Sequence, residues 1–212
     1  MTTVAAAYKK FNIMPTLQDH QYRVAAVAKA LCERAALPLP KENIVSGCLL
    51  HDMGNIIKFD LNKIPEGLTI DNLDYWKGVQ KDTVAQYGSD EHHATYRMAE
   101  ELGVSPTTLE VVAHIGAKHA PQMLSERKNN VLIATYSDFR VIPTGVTTLA
   151  GRIADLLERY TDTPKYEGYK RDTAVYFSIE EYLQSTLGLE DLALDSEAIE
   201  TTAQSLRDFV LV

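Results

Sequence analysis

The sequence predicts an all-α fold, a helical bundle, from two observations. Apolar residues recur at the three- and four-residue spacing of amphipathic helices along most of the chain. No series of segments shows the strict apolar–polar alternation of half-buried strands. A chain of 212 residues can form one sizeable core and is marginal for two. We therefore expect a single domain over residues 1–212, with its core at about 16–160 and a helical extension at about 161–212.

The first clear helix is predicted to open at Met14-Pro15. Thr16 and Asp19 resemble a capping box, with Asp in place of the usual Glu. Positions that share one helix face then carry apolar side chains: Val24, Val27, Ala28 and Leu31. This pattern predicts a helix with one buried face.

A second helix is predicted from near Lys41 to the histidine–aspartate pair at residues 51–52. The polar stretch that follows, residues 59–69, contains Gly and Pro and is interpreted as a loop or lid. Residues 71–87 have a helical pattern that ends at Gly88.

Two helices are predicted next in the chain. Ser89 is expected to cap one that ends at Gly103. Ser105-Pro106 is a strong start signal for the other, because Ser is a favoured N-cap and Pro fits the first helical position. That helix is expected to break near Gly116.

The remaining segments are also interpreted as helical. Residues 129–141 carry an apolar run that favours a helix over a strand, and residues 146–160 form another helix after Gly145. The tail, residues 166–212, predicts two amphipathic helices around a break at 187–195. These tail helices either cover the core or form a homodimer contact.

Composition excludes several classes of protein. Hydrophobic residues make up 45% and charged residues 24%, as in ordinary globular proteins. The net charge of −8 argues against a nucleic-acid surface, which needs clustered Lys and Arg. No apolar stretch resembles a signal peptide or a membrane span, and Cys32 and Cys48 fit reduced core thiols. We expect a cytoplasmic protein with no membrane partner.

Four titratable side chains are predicted to point inward. His20 shares the buried face of the first helix, and Asp52 extends the apolar stripe of the second. His51 lies about 100° further around that helix and can converge on the same point. Asp138 lies on an apolar stripe of the 129–141 segment.

A shared metal ion would explain why these four groups are buried together. Each of them alone is more often a hydrogen-bonded core residue or an ion-pair partner than a ligand. Two neutral imidazoles and two carboxylates form a good site for a divalent cation, which offsets the cost of desolvating the carboxylates. The mixed nitrogen and oxygen donors suit Mn, Fe, Co, Ni or Zn better than Mg.

The ordered set resembles the HD superfamily of metal-dependent phosphohydrolases. The resemblance rests on His20, on residues 51–52 within LLHDMGN, on Asp138 within ATYSDFRV and on Arg23, and it covers about residues 16–160. It implies an all-helical bundle with a buried metal site at its centre, held by His20, His51, Asp52 and Asp138. It also implies metal-assisted hydrolysis of a phosphate ester, in a nucleotide or related small molecule.

The chain departs from the family pattern directly after the doublet. Relatives often carry Lys or Glu there for substrate phosphate or proton transfer, whereas this chain has Met53, Gly54 and Asn55. The first basic residue is Lys58, which either takes over the role or is a solvated lysine. The identity of the general acid or base therefore stays open, with Asp138 and Glu91 as candidates.

Further histidines extend the candidate site. Some HD proteins use two more histidines for a second metal ion, and His92 and His119 match that order, while His93 lies on a polar face and His114 fits a buried structural role. The candidate catalytic residues are therefore Asp52, Asp138, His92 and His119. The site is expected to hold one or two metal ions. His92 and His119 either bind the second ion or donate hydrogen bonds to substrate.

Basic residues near the motifs are candidate phosphate partners: Arg23, Lys58, Lys118, Arg140 and Arg152. For each arginine and lysine a salt bridge is the more common role. Two other functions remain open at this point. One is a di-iron oxygenase on the same scaffold, and the other is a metal- or nucleotide-binding regulatory module without turnover.

Overall fold

A computed structural model of the chain describes residues 2–62, 72–190 and 192–212. Within these ranges the chain forms eleven α-helices: α1 Val4–Lys10, α2 Pro15–Arg34, α3 Lys41–Leu50, α4 Leu73–Tyr87, α5 Glu91–Glu101, α6 Pro106–His114, α7 Ala120–Ser125, α8 Asn129–Asp138, α9 Leu149–Arg159, α10 Tyr166–Leu187 and α11 Ser196–Ser205. Short 3-10 helices span Asn55–Lys58 and Leu206–Asp208. Strand β1 Val141–Ile142 pairs antiparallel with β2 Gly145–Val146. The prediction of an all-α fold is confirmed.

Helix α2 is the core helix around which the site is built. It packs against α3, α8 and α11, and α3 in turn packs against α6 and α8. The whole predicted stripe of α2 is inaccessible to solvent: Val24, Val27, Ala28 and Leu31. Burial of these apolar side chains contributes about 1.5–3 kcal/mol for each of the larger ones, so the stripe fixes which face of α2 points inward.

Two of the predicted helix caps differ from the structure. The capping box at Thr16 and Asp19 is not formed, because Met14 is the N-cap without a side-chain bond and Asp19 pairs with Arg207 instead. The N-cap of α5 is Asp90 rather than the predicted Ser89, and Asp90 Oδ1 accepts a hydrogen bond from the His93 N–H.

The helix predicted at residues 146–160 begins later, at Leu149. Residues 141–146 turn back as a hairpin, in which Gly145 adopts a positive φ of 142°. Thr148 then caps α9 by accepting the Gly151 N–H. Helices α1 and α7, of seven and six residues, were not predicted because so few turns carry little periodic signal.

The C-terminal helices pack on the preceding ones. Helix α10 packs against α8 and α9, and α11 packs against α2. Among the described residues, no helix is both long and apolar enough to cross a bilayer. Of the predicted loop or lid, residues 59–62 form no helix or strand, and the rest falls outside the described residues. The division into a core and an extension stays a prediction.

Replacing Ser105 by alanine is expected to lower the free energy of unfolding by about 1 kcal/mol. Ser105 Oγ accepts the Thr108 N–H at 3.2 Å and an Asn43 Nδ2–H at 2.7 Å, so it caps α6 and links it to α3. Urea denaturation followed by circular dichroism measures the loss. Ser178→Ala, at an exposed serine within α10, is the matched control. Equal losses for the two variants would contradict the capping role.

Candidate metal centre

Four side chains converge where three helices meet. His20 lies in the second turn of α2, His51 is the C-cap residue of α3, and Asp52 follows it. Asp138 is the last residue of α8. Because α2 packs against both α3 and α8, the inward residues of the three helices share one location.

The reactive atoms of this cluster lie within a few ångströms of one another. His20 Nε2 is 3.7 Å from Asp52 Oδ2 and 3.1 Å from Asp138 Oδ1. His51 Nε2 is 3.6 Å from the same Asp52 oxygen and 3.7 Å from the same Asp138 oxygen. Each imidazole nitrogen therefore faces both carboxylates. The side chain of His51 is 3% exposed and the other three are 23% exposed, so the cluster is buried on one side and open on the other.

The protonation of His51 is set by the backbone behind it. Its Nδ1 lies 2.7 Å from the Cys48 carbonyl oxygen, and since a carbonyl only accepts, Nδ1 carries the proton. In the neutral ring that a metal ion would bind, the lone pair is then on Nε2, which is buried and has no hydrogen-bond partner among the described residues. A backbone bond that fixes the tautomer in this way is typical of histidines that bind metals.

The charges in the cluster favour a cation beside the carboxylates. Burial alone would lower the pKa of His51, but the neighbouring Asp52 and Asp138 outweigh it and raise that pKa to about 9. Burial alone would raise the pKa of Asp138, but the His20 and His51 imidazoles hold it well below its usual range. An ionised Asp138 carboxylate in a largely buried location, with the Asp52 carboxylate beside the same histidines, favours a divalent cation.

The donor set fits such an ion. Ligand atoms on a tetrahedral site with bonds of about 2.0–2.2 Å stand ~3.3 Å apart. The four separations of 3.1–3.7 Å lie close to that value. One donor atom each from His20, His51 and Asp52 lies within 4.8 Å of the others, so this group could hold a metal ion. The buried Nε2 of His51, which pairs with none of the described residues, is the observation that most directly marks it as a metal-binding atom.

The cluster forms the floor of a cleft of about 220 Å³, whose wall includes Lys58, His92, Arg152 and Tyr169. His92 is 75% exposed, with Nε2 at 3.9 Å from Glu91 Oε1. Lys58 Nζ lies 3.9 Å from the same Glu91 oxygen, so Lys58 stands at the cleft rather than away from it. His92 and Lys58 are therefore placed where a substrate in the cleft would contact them.

Two other histidines named in the sequence analysis, His119 and His114, do not line the cleft. His119 N-caps α7, and its ring centroid is 5.3 Å from that of His114, whose Nδ1 bonds to the Glu110 carbonyl. Burial lowers the pKa of His119, and the charges of His114 and nearby Lys118 and His92 add to this effect. A second-ion role for His92 and His119 stays a prediction.

The predicted phosphate partners have different surroundings. Arg140 is buried, and its guanidinium donates to Thr147 and Leu192 carbonyls and to the Tyr136 hydroxyl, so it stabilises the fold. Lys118 is exposed.

Arg23 lies close to the site, and its Nε is 2.6 Å from Glu200 Oε1 of α11. It lines a second cavity beside the cluster.

Sequence reasoning did not identify two residues that shape the site. Tyr169 reaches the cleft from α10, and Gln21 Oε1 accepts the backbone N–H of Asp52 at 3.3 Å. Gln21 follows His20 directly, so a polar residue on the buried face of α2 was the available signal. No sequence pattern links Tyr169 to the doublet.

Fold and cluster together define a helical protein with a buried histidine–aspartate site of a kind that could hold a divalent metal ion. Residues 17–161, more than half of the chain, match the family model described as HD domain. The chain therefore belongs to the HD-domain family, whose members bind divalent metals and are typically metal-dependent phosphohydrolases. No match was found among curated proteins or among solved structures.

Proposed function

We propose that this protein is a metal-dependent phosphohydrolase that acts on a phosphate ester of a nucleotide or related small molecule. The observation that carries the proposal is the buried Nε2 of His51. Its tautomer is fixed by Cys48, it has no hydrogen-bond partner among the described residues, and it faces the Asp52 and Asp138 carboxylates at the floor of an open cleft. Family membership supports the reaction class.

His20, His51, Asp52 and Asp138 would hold the ion. When bound, a divalent transition metal supplies Lewis acidity to a phosphoryl oxygen and to a water nucleophile near neutral pH. The bond from Gln21 to the Asp52 backbone keeps Asp52 in place beside the two histidines. The Cys48 carbonyl and Gln21 thus orient two members of the donor set.

Residues at the cleft wall would handle the substrate and its protons. The Lys58 ammonium can attract and orient the phosphate group, since it lies at the cleft and is 40% exposed. Either Asp138 or Glu91 would accept the proton of the attacking water. His92 and His119 would bind a second ion or contact the substrate.

Removal of metal is expected to abolish phosphate release, and addition of Mn, Fe, Co, Ni or Zn is expected to restore it more effectively than Mg. The measurement uses chelator-treated, dialysed protein with a panel of phosphomonoesters, phosphodiesters and nucleotides. Inorganic phosphate released per chain is the readout.

Two results of this panel would reject the proposal. Two irons per chain with oxygen consumption and no phosphate release would indicate an oxygenase. Metal binding without hydrolysis under any condition would indicate a regulatory module.

A further inference from the structure

A second cavity of about 400 Å³ adjoins the metal cleft. We call it the arginine cavity, because its wall includes Arg23, Arg152 and Arg159 together with Asp19, His20 and Phe59. The β1–β2 hairpin contributes Val141, Ile142 and Pro143 to the same wall. It is larger than the cleft that holds the metal candidates.

The two cavities share residues. His20 and Arg152 line both of them, so the arginine cavity begins where the metal cleft ends. Pockets for small molecules occupy about 300–1,000 Å³. The cleft at about 220 Å³ falls below that range and the arginine cavity at about 400 Å³ falls within it. A substrate whose phosphate lies at the cluster would therefore extend past His20 into the arginine cavity.

Arg152 lies where the two cavities meet and has a hydrogen-bond donor without a partner among the described residues. Its side chain is 14% exposed, and Nη1 donates to Asp155 Oδ2 at 3.0 Å. Its Nε is buried and has no hydrogen-bond partner among residues 2–62, 72–190 and 192–212. A buried donor without a partner is costly, more so on a charged group, so an acceptor that reaches this guanidinium would be stabilising.

The side chains around the cavity carry an excess of positive charge, which favours an anion. Arg159 shares the Asp155 carboxylate with Arg152, so one carboxylate serves two guanidinium groups. Arg23 is paired with Glu200. In the described part of the chain, these three arginines therefore pair with two carboxylates. An arginine fork matches the planar geometry of a carboxylate or the oxygens of a phosphate.

Asp19 does not neutralise this excess of positive charge. Its Oδ1 lies 3.2 Å from Arg207 Nη2, and Arg207 is not among the residues that line the arginine cavity. The acidic residue in the wall thus has a cationic partner of its own.

We propose that the arginine cavity binds a second anionic group of the substrate, with Arg152 as its main contact. This inference rests on the proposed function and narrows its substrate class to small phosphate esters that carry another phosphate or a carboxylate. One anionic group lies at the metal cluster, and the other lies against Arg152.

The first test measures anion binding without metal. Dialysed, metal-free protein is titrated calorimetrically with inorganic pyrophosphate and, in a separate arm, with malonate, which distinguishes a phosphate from a carboxylate occupant. Arg152→Gln is expected to weaken the preferred anion by about tenfold or more, since a charged hydrogen bond contributes about 1.5–3 kcal/mol. Arg152→Lys, which keeps the charge, is expected to restore part of the affinity.

Two controls separate anion binding from a structural role. Arg97→Gln removes an arginine with the same three-residue spacing to its carboxylate, Glu100, on helix α5, and affinity is expected to stay unchanged. Asp155→Asn breaks the Arg152 ion pair while leaving the guanidinium in place, and affinity is expected to hold or rise. Equal weakening by Asp155→Asn and Arg152→Gln would show that Arg152 acts only through the fold and would overturn the inference.

The second test uses turnover with metal. Glycerol 3-phosphate has one anionic group, whereas 3-phosphoglycerate adds a carboxylate and 2,3-bisphosphoglycerate adds a phosphate as well. The wild type is expected to prefer one of the latter two, and Arg152→Gln is expected to remove that preference mainly through KM. No preference in the wild type, or no anion binding in the first test, would overturn the inference. Arg152-dependent anion binding in a protein that hydrolyses no phosphate ester would reject the hydrolase proposal and leave the anion site standing.

Discussion

Replacement of His51 by alanine is expected to abolish metal binding and phosphate release together. The imidazole offers the Nε2 lone pair to the cluster, and its tautomer is fixed by the Cys48 carbonyl. Loss of a residue that merely orients a ligand costs about 10–100-fold in metal affinity or activity, so loss of a ligand itself should exceed 100-fold. Metal content per chain by mass spectrometry and the initial rate of phosphate release are the two measurements.

Controls for this variant come from the same chain. His93→Ala removes an exposed histidine that is not part of the cleft wall, and both readouts are expected to remain at the wild-type level. Asp52→Asn keeps the shape of the side chain but removes its charge, and it is expected to behave like His51→Ala. A folded His51→Ala protein with full metal content and full activity would refute the assignment of the cluster.

The helical fold could be predicted because the buried faces are periodic. The stripe of α2 has four inaccessible residues at helical spacing, and the Ser105 cap of α6 is a local bond between neighbours in the chain. The hairpin at residues 141–146 gave no such signal, because two residues per strand are too few for an alternating pattern. The unformed capping box shows the opposite case, in which a tertiary partner, Arg207, takes Asp19 away from a local role.

The convergence of the cluster could be expected from the sequence because His20 and Asp138 lie on inward helix faces and the doublet directly follows the buried face of α3. The residues that surround the cluster could not be predicted, because they depend on how helices distant in the sequence cover the cleft. Tyr169 reaches it from α10, beyond the residues that match the family. Asn55, which occupies a position where relatives carry a charged group, is buried and is not part of the cleft wall, while Lys58 lies at the cleft one helical turn later.

Gly54 determines how closely the N-terminus of α5 approaches the doublet. Its backbone N–H donates to Thr95 Oγ1 at 2.9 Å, and Thr95 Oγ1 donates to the Glu91 carbonyl. A Cβ added at Gly54 would clash with that Glu91 carbonyl oxygen and would lie 2.8 Å from Thr95 Oγ1. Because the obstacle includes backbone, a rotamer change cannot relieve it. The α5 helix, which carries Glu91 and His92, would have to move away from the cleft.

Gly54→Ala is therefore expected to reduce both stability and activity, with a loss of about 1–3 kcal/mol in the free energy of unfolding. The matched control is Gly78→Ala in α4, where nothing lies within 4 Å of the added Cβ and alanine is expected to stabilise the helix by about 0.5–1 kcal/mol. Chemical denaturation gives the stability, and metal titration with phosphate release gives the state of the site. Because the nearest obstacles to the added Cβ all belong to α5, metal binding should be reduced less than hydrolysis. A variant with wild-type stability and turnover would show that the spacing between the doublet and α5 has no role in the reaction.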